Sequence, residues 1–330
     1  MLFQKVNTKI IINEIKKYKL PSFYFLDDVL IKYFQLYNPE SSFEDVSFII
    51  RDNKNVLFCP LTIEKKNSEK YLNYFGNPFS CLFIKKNDDI FSFFKENIKQ
   101  IFKNENISNL NFLVEKSYFE ILKQNIDMKN NFIRKISNVK YINLSLKNEE
   151  IVKGFKKGLK HILNKNYSNL YYRIIDKSNY NKEILEMKKM HHEISNRITR
   201  SDETWSENQR MLLEDKAFLV QVRDKNYVIS YSLFFNNYRE SGYFSSCTYR
   251  EFFNQYKNIN HNSIFEAIKY LKKKNCKRLT LGETKIIFSE EVISDKEKSI
   301  ATFKSSFGGE EYIHYYLDKN SLDFIDLYLK

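Results

Sequence analysis

The feature that most restricts what this chain can fold into is the change of apolar period across residues 170–282. Leu170–Ile175 reads as a strand, and the helical stretch 180–194 places Ile184, Met187, Met190 and His191 on one side. Three strand-like runs follow in close succession: Ala217–Arg223, Tyr227–Asn236 and Ser241–Tyr249. Asp224-Lys225-Asn226 suits a hairpin between the first two. A helix over Ser263–Lys274 then leads to a compact strand, Arg278–Gly282. Strands that pair by hairpin and then cross over through a helix require a mixed sheet.

The rest of the chain extends this α/β plan. Tyr141–Leu146 reads as a strand. Asn148 opens the helical run NEEIVKGFKKGLKHILNKN, acidic at its start and basic later, as the helix dipole prefers. The tail reads as a short helix near 297–306, a strand at 311–317 and a helix from 321. The first half is looser: helices at 9–18, 22–37 and 88–103, strands at Val46–Arg51, Asn55–Glu64, Cys81–Ile84 and Leu110–Glu115, and a short helix at Ser117–Gln124. Two domains, 1–140 and 141–330, fit the length of 330 residues. With 42% hydrophobic and 16% aromatic residues there is material for two cores, and 7 Gly with 4 Pro leave little for flexible linkers.

A net charge of +13 draws anionic partners without naming one, because the lysines are spread along the whole chain and no arginine-rich tract stands out. Cys59, Cys81, Cys247 and Cys276 lie far apart and form no CxxC pair, so they read as reduced thiols rather than a disulfide framework or metal site. No stretch reaches the roughly 18 apolar residues of a membrane helix, and the N-terminus has no signal-peptide pattern; a cytoplasmic location is expected.

Two motifs carry chemistry. After Ser241–Tyr249, a polar loop brings Asn260, His261, Asn262 and Ser263 to the start of a helix, where free N–H groups favour an anion; an ordinary connection capped by Asn262 or Ser263 is the plainer reading. In KSIATFKSSFGGEEYIHYYL (298–317), Phe303 and Phe307 read as core, Gly308-Gly309 as a turn, and Lys304 as a cation fixed beside a substrate.

TFKSSFGG, with IFEAIKYLKKKNCKRLTLG upstream and YINLSLKNEEIVKGFKKGLKHILNK earlier, resembles the C-terminal signature of FemAB-like transferases, which carry tandem GNAT-like domains. NYFGNPFSCLF (73–83) resembles a weaker pattern of their first domain. The resemblance implies an α/β fold with mixed sheets in two GNAT-like domains, an acceptor cleft between them, and transfer of an acyl or aminoacyl group to an amine of a sugar, sugar nucleotide or peptidoglycan-type precursor. It implies an acyl-CoA donor, acetyl-CoA foremost, bound at Asn260, His261, Asn262 and Ser263, although the usual glycine-rich loop is absent. It places Phe303 and Lys304 at the transfer site. Segment 180–215 is too short for the coiled-coil arm of the bridge-forming members, which use aminoacyl-tRNA; tRNA is therefore the second donor to consider. A degenerate pair that only binds a glycan or protein is the non-enzyme alternative.

Amine acylation needs orientation, oxyanion stabilisation and removal of one proton. Lys304 suits the oxyanion. Glu283, after the strand ending at Gly282, suits the base, with His191 and His192 as further bases. Tyr249 suits protonation of a leaving thiol. Trp205 and Arg200, in the polar stretch after the 180–194 helix, suit the acceptor site. Cys247 has no His/Asp partner to activate it.

Overall fold

The computed structural model describes residues 1–18, 28–52, 55–77, 79, 82–83, 88–115, 133–163, 169–225, 227–237, 239–256, 259–285 and 293–318. The expected helices at 117–124 and from 321, together with Cys81, lie outside them. The chain divides into two compact units. Met1–Asn138, Lys285–Val292 and Glu311–Lys330 form the first, and Val139–Thr284 with Ile293–Glu310 the second. No helix among the described residues is long and apolar enough to cross a membrane.

In the first unit, β1 (Leu2–Lys5), β3 (Phe48–Asp52), β4 (Asn55–Cys59) and β7 (Leu82–Phe83) form an antiparallel sheet in the order β1-β3-β4-β7. α1 (Thr8–Tyr18) buries Ile11, Ile12 and Ile15 against Ile49, Val56 and Phe58, with the apolar spacing a helix needs to present one face. A second set runs β2 (Ser42–Asp45), β5 (Thr62–Lys66), β6 (Glu69–Asn73), β8 (Asn109–Glu115) and β15 (Glu310–Asp318), with β6 and β8 parallel. α2 (Asp28–Tyr37) and α3 (Asp88–Asn104) complete the helices described in this unit. The expected single strand Asn55–Glu64 is two strands in different sheets. Pro60, which has no N–H to donate, sits at the break.

β9 (Ile133–Asn143) carries the chain into the second unit. There β10 (Leu170–Ile175), β11 (Ala217–Asp224), β12 (Tyr227–Asn237) and β13 (Glu240–Thr248) pair antiparallel in sequence order, and β14 (Arg278–Lys285) adds parallel to β13. The expected helix from Asn148 is two short ones, α4 (Asn148–Gly154) and α5 (Lys157–Leu163), interrupted by extended Phe155. One sheet face is covered by α9 (Ile259–Lys273), whose Ile264, Ala267, Ile268 and Leu271 pack with Phe218, Val220, Phe234, Leu279 and Leu281. The other face meets α6 (Glu183–Ser195) and α7 (Asp202–Leu213).

α7 corrects an expectation, because the segment after 195 is helical rather than a polar loop. Ser201 caps it by accepting a hydrogen bond from the Thr204 N–H, with Asp202 and Glu203 in the first turn. α8 (Glu251–Gln255) is a further helix absent from the sequence reading. α10 (Asp295–Ser305) has no fully buried residue; a capping box between Ser294 and Glu297 starts it.

Candidate active site

β13 and β14 are joined only briefly. Their register pairs Glu240 with Arg278, Ser241 with Leu279 and Gly242 with Thr280, and among the described residues it goes no further. Gly242 closes the paired end: a Cβ there would lie 2.3 Å from the Phe235 ring. Burial follows the parting. Glu240–Gly242 and Cys247–Thr248 are buried, whereas Tyr243–Ser246 between them are half-buried, although β13 is an interior strand. The sheet therefore opens along the middle of β13.

The end of α10 spans this opening with adjacent residues. Phe303 packs toward β13, its ring 6.3 Å from that of Tyr243. Lys304 reaches β14, where its ammonium donates to the Glu283 carbonyl at 2.7 Å, beside Gly282, whose backbone is left-handed within the strand (φ 76°). Burial pulls the Lys304 pKa down to about 8, with the Glu283 charge working weakly the other way. Lys304 is thus a largely desolvated cation, fixed on one carbonyl at the mouth of the opening.

His261 belongs to the same cluster. α9 begins at Ile259, four residues before the expected start, so Asn260, His261, Asn262 and Ser263 lie within its first turns instead of preceding them. Ser263 is buried and donates back to the Ile259 carbonyl at 3.0 Å, which corrects its reading as a cap. Asn260 accepts from the Thr248 hydroxyl at 3.1 Å, and Asn262 is half-buried. The His261 ring sits 4.6 Å from Phe303, edge to face, and is stacked on Phe307 at 5.6 Å. Burial lowers its pKa to about 4, so at neutral pH it is an uncharged aromatic wall rather than a cation for phosphate.

A β-bulge separates this cluster from the remaining predicted residues. Leu233 pairs with Ser245 and Phe234 with Tyr243, which leaves Phe244 as the extra residue. Tyr243 thereby faces the α9 side, while Ser245 and Cys247 turn to α6. There Arg200 donates to Ser245 Oγ and to His191 Nε2, both at 3.2 Å, and lies 5.4 Å over Trp205. Trp205 is 2% exposed, a core residue of this face and not a lining of open solvent. Because guanidinium only donates, His191 Nε2 carries the lone pair and Nδ1–H faces Thr199 at 3.1 Å. Burial and Arg200 hold the His191 pKa down to about 4. Cys247 is buried, with its thiol pushed up to about 12, which removes it as a nucleophile. Tyr249 follows β13, six residues past Tyr243 and about 20 Å along it at the usual strand rise. Its hydroxyl donates to Glu193 at 2.9 Å, and burial raises its pKa to about 12. The structure thus brings together Phe303, Lys304, Glu283 and His261, and sets Arg200, Trp205 and Tyr249 apart from them. Tyr243, absent from the sequence reading, joins the cluster; the small Gly242 before an aromatic was its only signal. Among the described residues there is no group of three or more His, Cys, Asp or Glu side chains able to hold a metal.

His261 gives a pH prediction. Its folded pKa is below the ordinary 6.5, so the unfolded chain binds more protons; its contribution is present above 6.5 and lost as pH falls toward about 4. The change is at most about 3 kcal/mol. Glu240, raised to about 7 by burial, titrates with the opposite sign in an overlapping window. The measurement is therefore the difference between wild type and His261→Phe in denaturant midpoints at pH 7 and pH 4.5. The variant is expected to lose less stability on acidification.

A mixed sheet that opens between two parallel neighbours beside the first turn of a helix is the core of a GNAT-type fold. No protein-family model and no curated protein matches the chain. Among solved structures, FemX aligns over 100% of both chains with a TM-score of 0.64 at 12% identity. A tandem GNAT protein from the clavulanic acid biosynthesis pathway covers 96% of this chain and 98% of its own, with a TM-score of 0.50 at 6% identity. A conserved protein of unknown function from Bacteroides thetaiotaomicron VPI-5482 covers 95% and 98%, with a TM-score of 0.50 at 10% identity. The chain has the tandem GNAT, FemAB-like fold.

Proposed function

We propose that the chain transfers an acyl group from acyl-CoA to a primary amine of a sugar, sugar nucleotide or cell-envelope precursor. The observation that carries this reading is the Lys304 ammonium, fixed where β13 and β14 part. In the reaction the amine nitrogen attacks the acyl carbonyl, a tetrahedral oxyanion forms, and the C–S bond breaks. A cation already held in a partly dry crevice stabilises that oxyanion and then the leaving thiolate, without reorganising at the moment of reaction. Glu283, whose charge is already felt by Lys304, is the group at hand to take the amine proton. The parted edge of β13 offers a track for the extended, amide-bearing arm of the donor.

A second reading, an aminoacyl group delivered by charged tRNA, is favoured by the whole-length likeness to FemX and by the net charge of +13.

The test supplies acetyl-CoA, or charged tRNA, with a panel of amino sugars and muramyl peptides, and reads products by mass and donor binding by calorimetry. Acyl-CoA-dependent product supports the first reading. Product only with charged tRNA, with tRNA retention lost at moderate salt, supports the second. Absence of binding and of product with both donors overturns the transferase reading. Turnover has its own pH signature. As Lys304 loses its proton the rate is expected to fall above about pH 8, and a Lys304→Ala variant should lack that limb.

A further inference from the structure

We infer that Phe303, braced by His261 and Phe307, closes the acyl end of this crevice and limits the transferred group to acetyl size. The inference rests on the acyl-CoA reading above and adds which acyl group that site takes. Lys304 and Phe303 are consecutive residues at the end of α10, one reaching the β14 side of the opening and the other the β13 side. A carbonyl oxygen that meets the ammonium therefore leaves the substituent on its carbon beside the Phe303 ring. That ring has little freedom to yield. His261 packs on it at 4.6 Å and Phe307 at 5.6 Å, and Phe307 packs in turn on Phe155 at 5.5 Å. Phe307 and Phe155 are 1% and 3% exposed, so the wall is anchored in the core of the second unit. A close-packed wall of this kind does not absorb extra methylenes.

Each methylene that does not fit is expected to weaken use of the donor on the order of 10- to 200-fold. Removing the ring should lift that penalty while leaving Lys304 and Glu283 in place.

The experiment measures calorimetric binding and transfer rates for acetyl-, butyryl- and hexanoyl-CoA with wild type, Phe303→Ala and Phe303→Leu, with thermal melts of each. Wild type is expected to favour acetyl over butyryl, which is two methylenes longer, by at least about 100-fold. Phe303→Ala should level or reverse that ratio, and Phe303→Leu should fall between. If Phe303→Ala fails to fold, Phe303→Leu decides. A general loss of packing lowers all three donors together and leaves their ratio unchanged, so the ratio separates a size filter from a structural residue. An identical chain-length profile in every folded form overturns the size filter alone. Wild type that takes hexanoyl-CoA as readily as acetyl-CoA does the same. Failure of every form to bind any acyl-CoA overturns the donor reading, and the size filter with it.

Discussion

Replacing Lys304 with Met is expected to make the protein more stable and nearly inactive. The side chain is largely desolvated and its pKa sits at about 8, against an ordinary 10.5, so the folded state holds the charge at a cost. The sign follows from proton counts. Between about pH 8 and 10.5 the unfolded chain binds more protons, so the wild type gains stability as pH rises through that window. At neutral pH the penalty is on the order of 3 kcal/mol, partly offset by the hydrogen bond to the Glu283 carbonyl, and a net gain of about 1–2 kcal/mol remains for Met. Met keeps an unbranched apolar stem and so preserves the packing of α10. Transfer should fall on the order of 100- to 1000-fold, the range for loss of one oxyanion-stabilising group. Denaturant titrations at pH 7 and pH 10 provide the check. The stability gap between variant and wild type is expected to narrow at the higher pH, and a variant that is less stable at pH 7 contradicts the account.

Gly309→Ala is expected to destabilise the second unit by about 2–5 kcal/mol, from a left-handed backbone and a steric clash together. Gly309 has φ 83°, and a Cβ would stand 2.2 Å from the Tyr141 carbonyl oxygen, which belongs to backbone and cannot rotate away. Its neighbour Gly308 has φ 61°, and a Cβ there would stand 2.3 Å from the Gly154 carbonyl oxygen. Gly158→Ala is the contrasting variant: nothing lies within 4 Å of its added Cβ, and it sits in α5. That change should stabilise by about 0.5–1 kcal/mol through lower chain entropy in the unfolded state. Thermal melts of the two variants against wild type decide, and equal shifts in both contradict the packing argument.

The parts of this fold written in local sequence, hairpin pairing included, were legible, and the pairings between distant strands were not. The three strands after 217 alternate or run apolar and are joined by short polar turns, so their order and their antiparallel pairing could be read directly. α7 was legible in principle. Ser201 followed by Asp202 and Glu203 is a start signal, and Trp205, Asn208, Met211 and Leu212 recur at helical spacing, but the surrounding polar residues obscured it. Pro60 marked the break between β4 and β5, although no local signal says that the two strands enter different sheets. Phe303 and Lys304 stood out because a cation between two core aromatics is unusual. Their meeting with Glu283 and His261 depends on α10 crossing β14 and on α9 starting at Ile259, both non-local facts. Arg200 and Trp205 read as a polar lining because their segment is hydrophilic. The fold makes the pair a support for Ser245 on the opposite face, and a single extra residue, Phe244, decides which face that is.

The bulge at Phe244 gives one strand two allegiances. Before it the Tyr243 side chain meets the aromatic wall; after it the alternation is exchanged, so Ser245 and Cys247 meet α6 and the arginine beside it while Thr248 takes the α9 side and donates to Asn260. Tyr243 and Cys247 are four positions apart in an extended chain, a spacing that would place them on one face, yet the bulge gives them opposite faces and different neighbours. A single backbone insertion therefore decides which layer each later position of β13 serves: an even-numbered residue after it does the work that an odd-numbered one does before it.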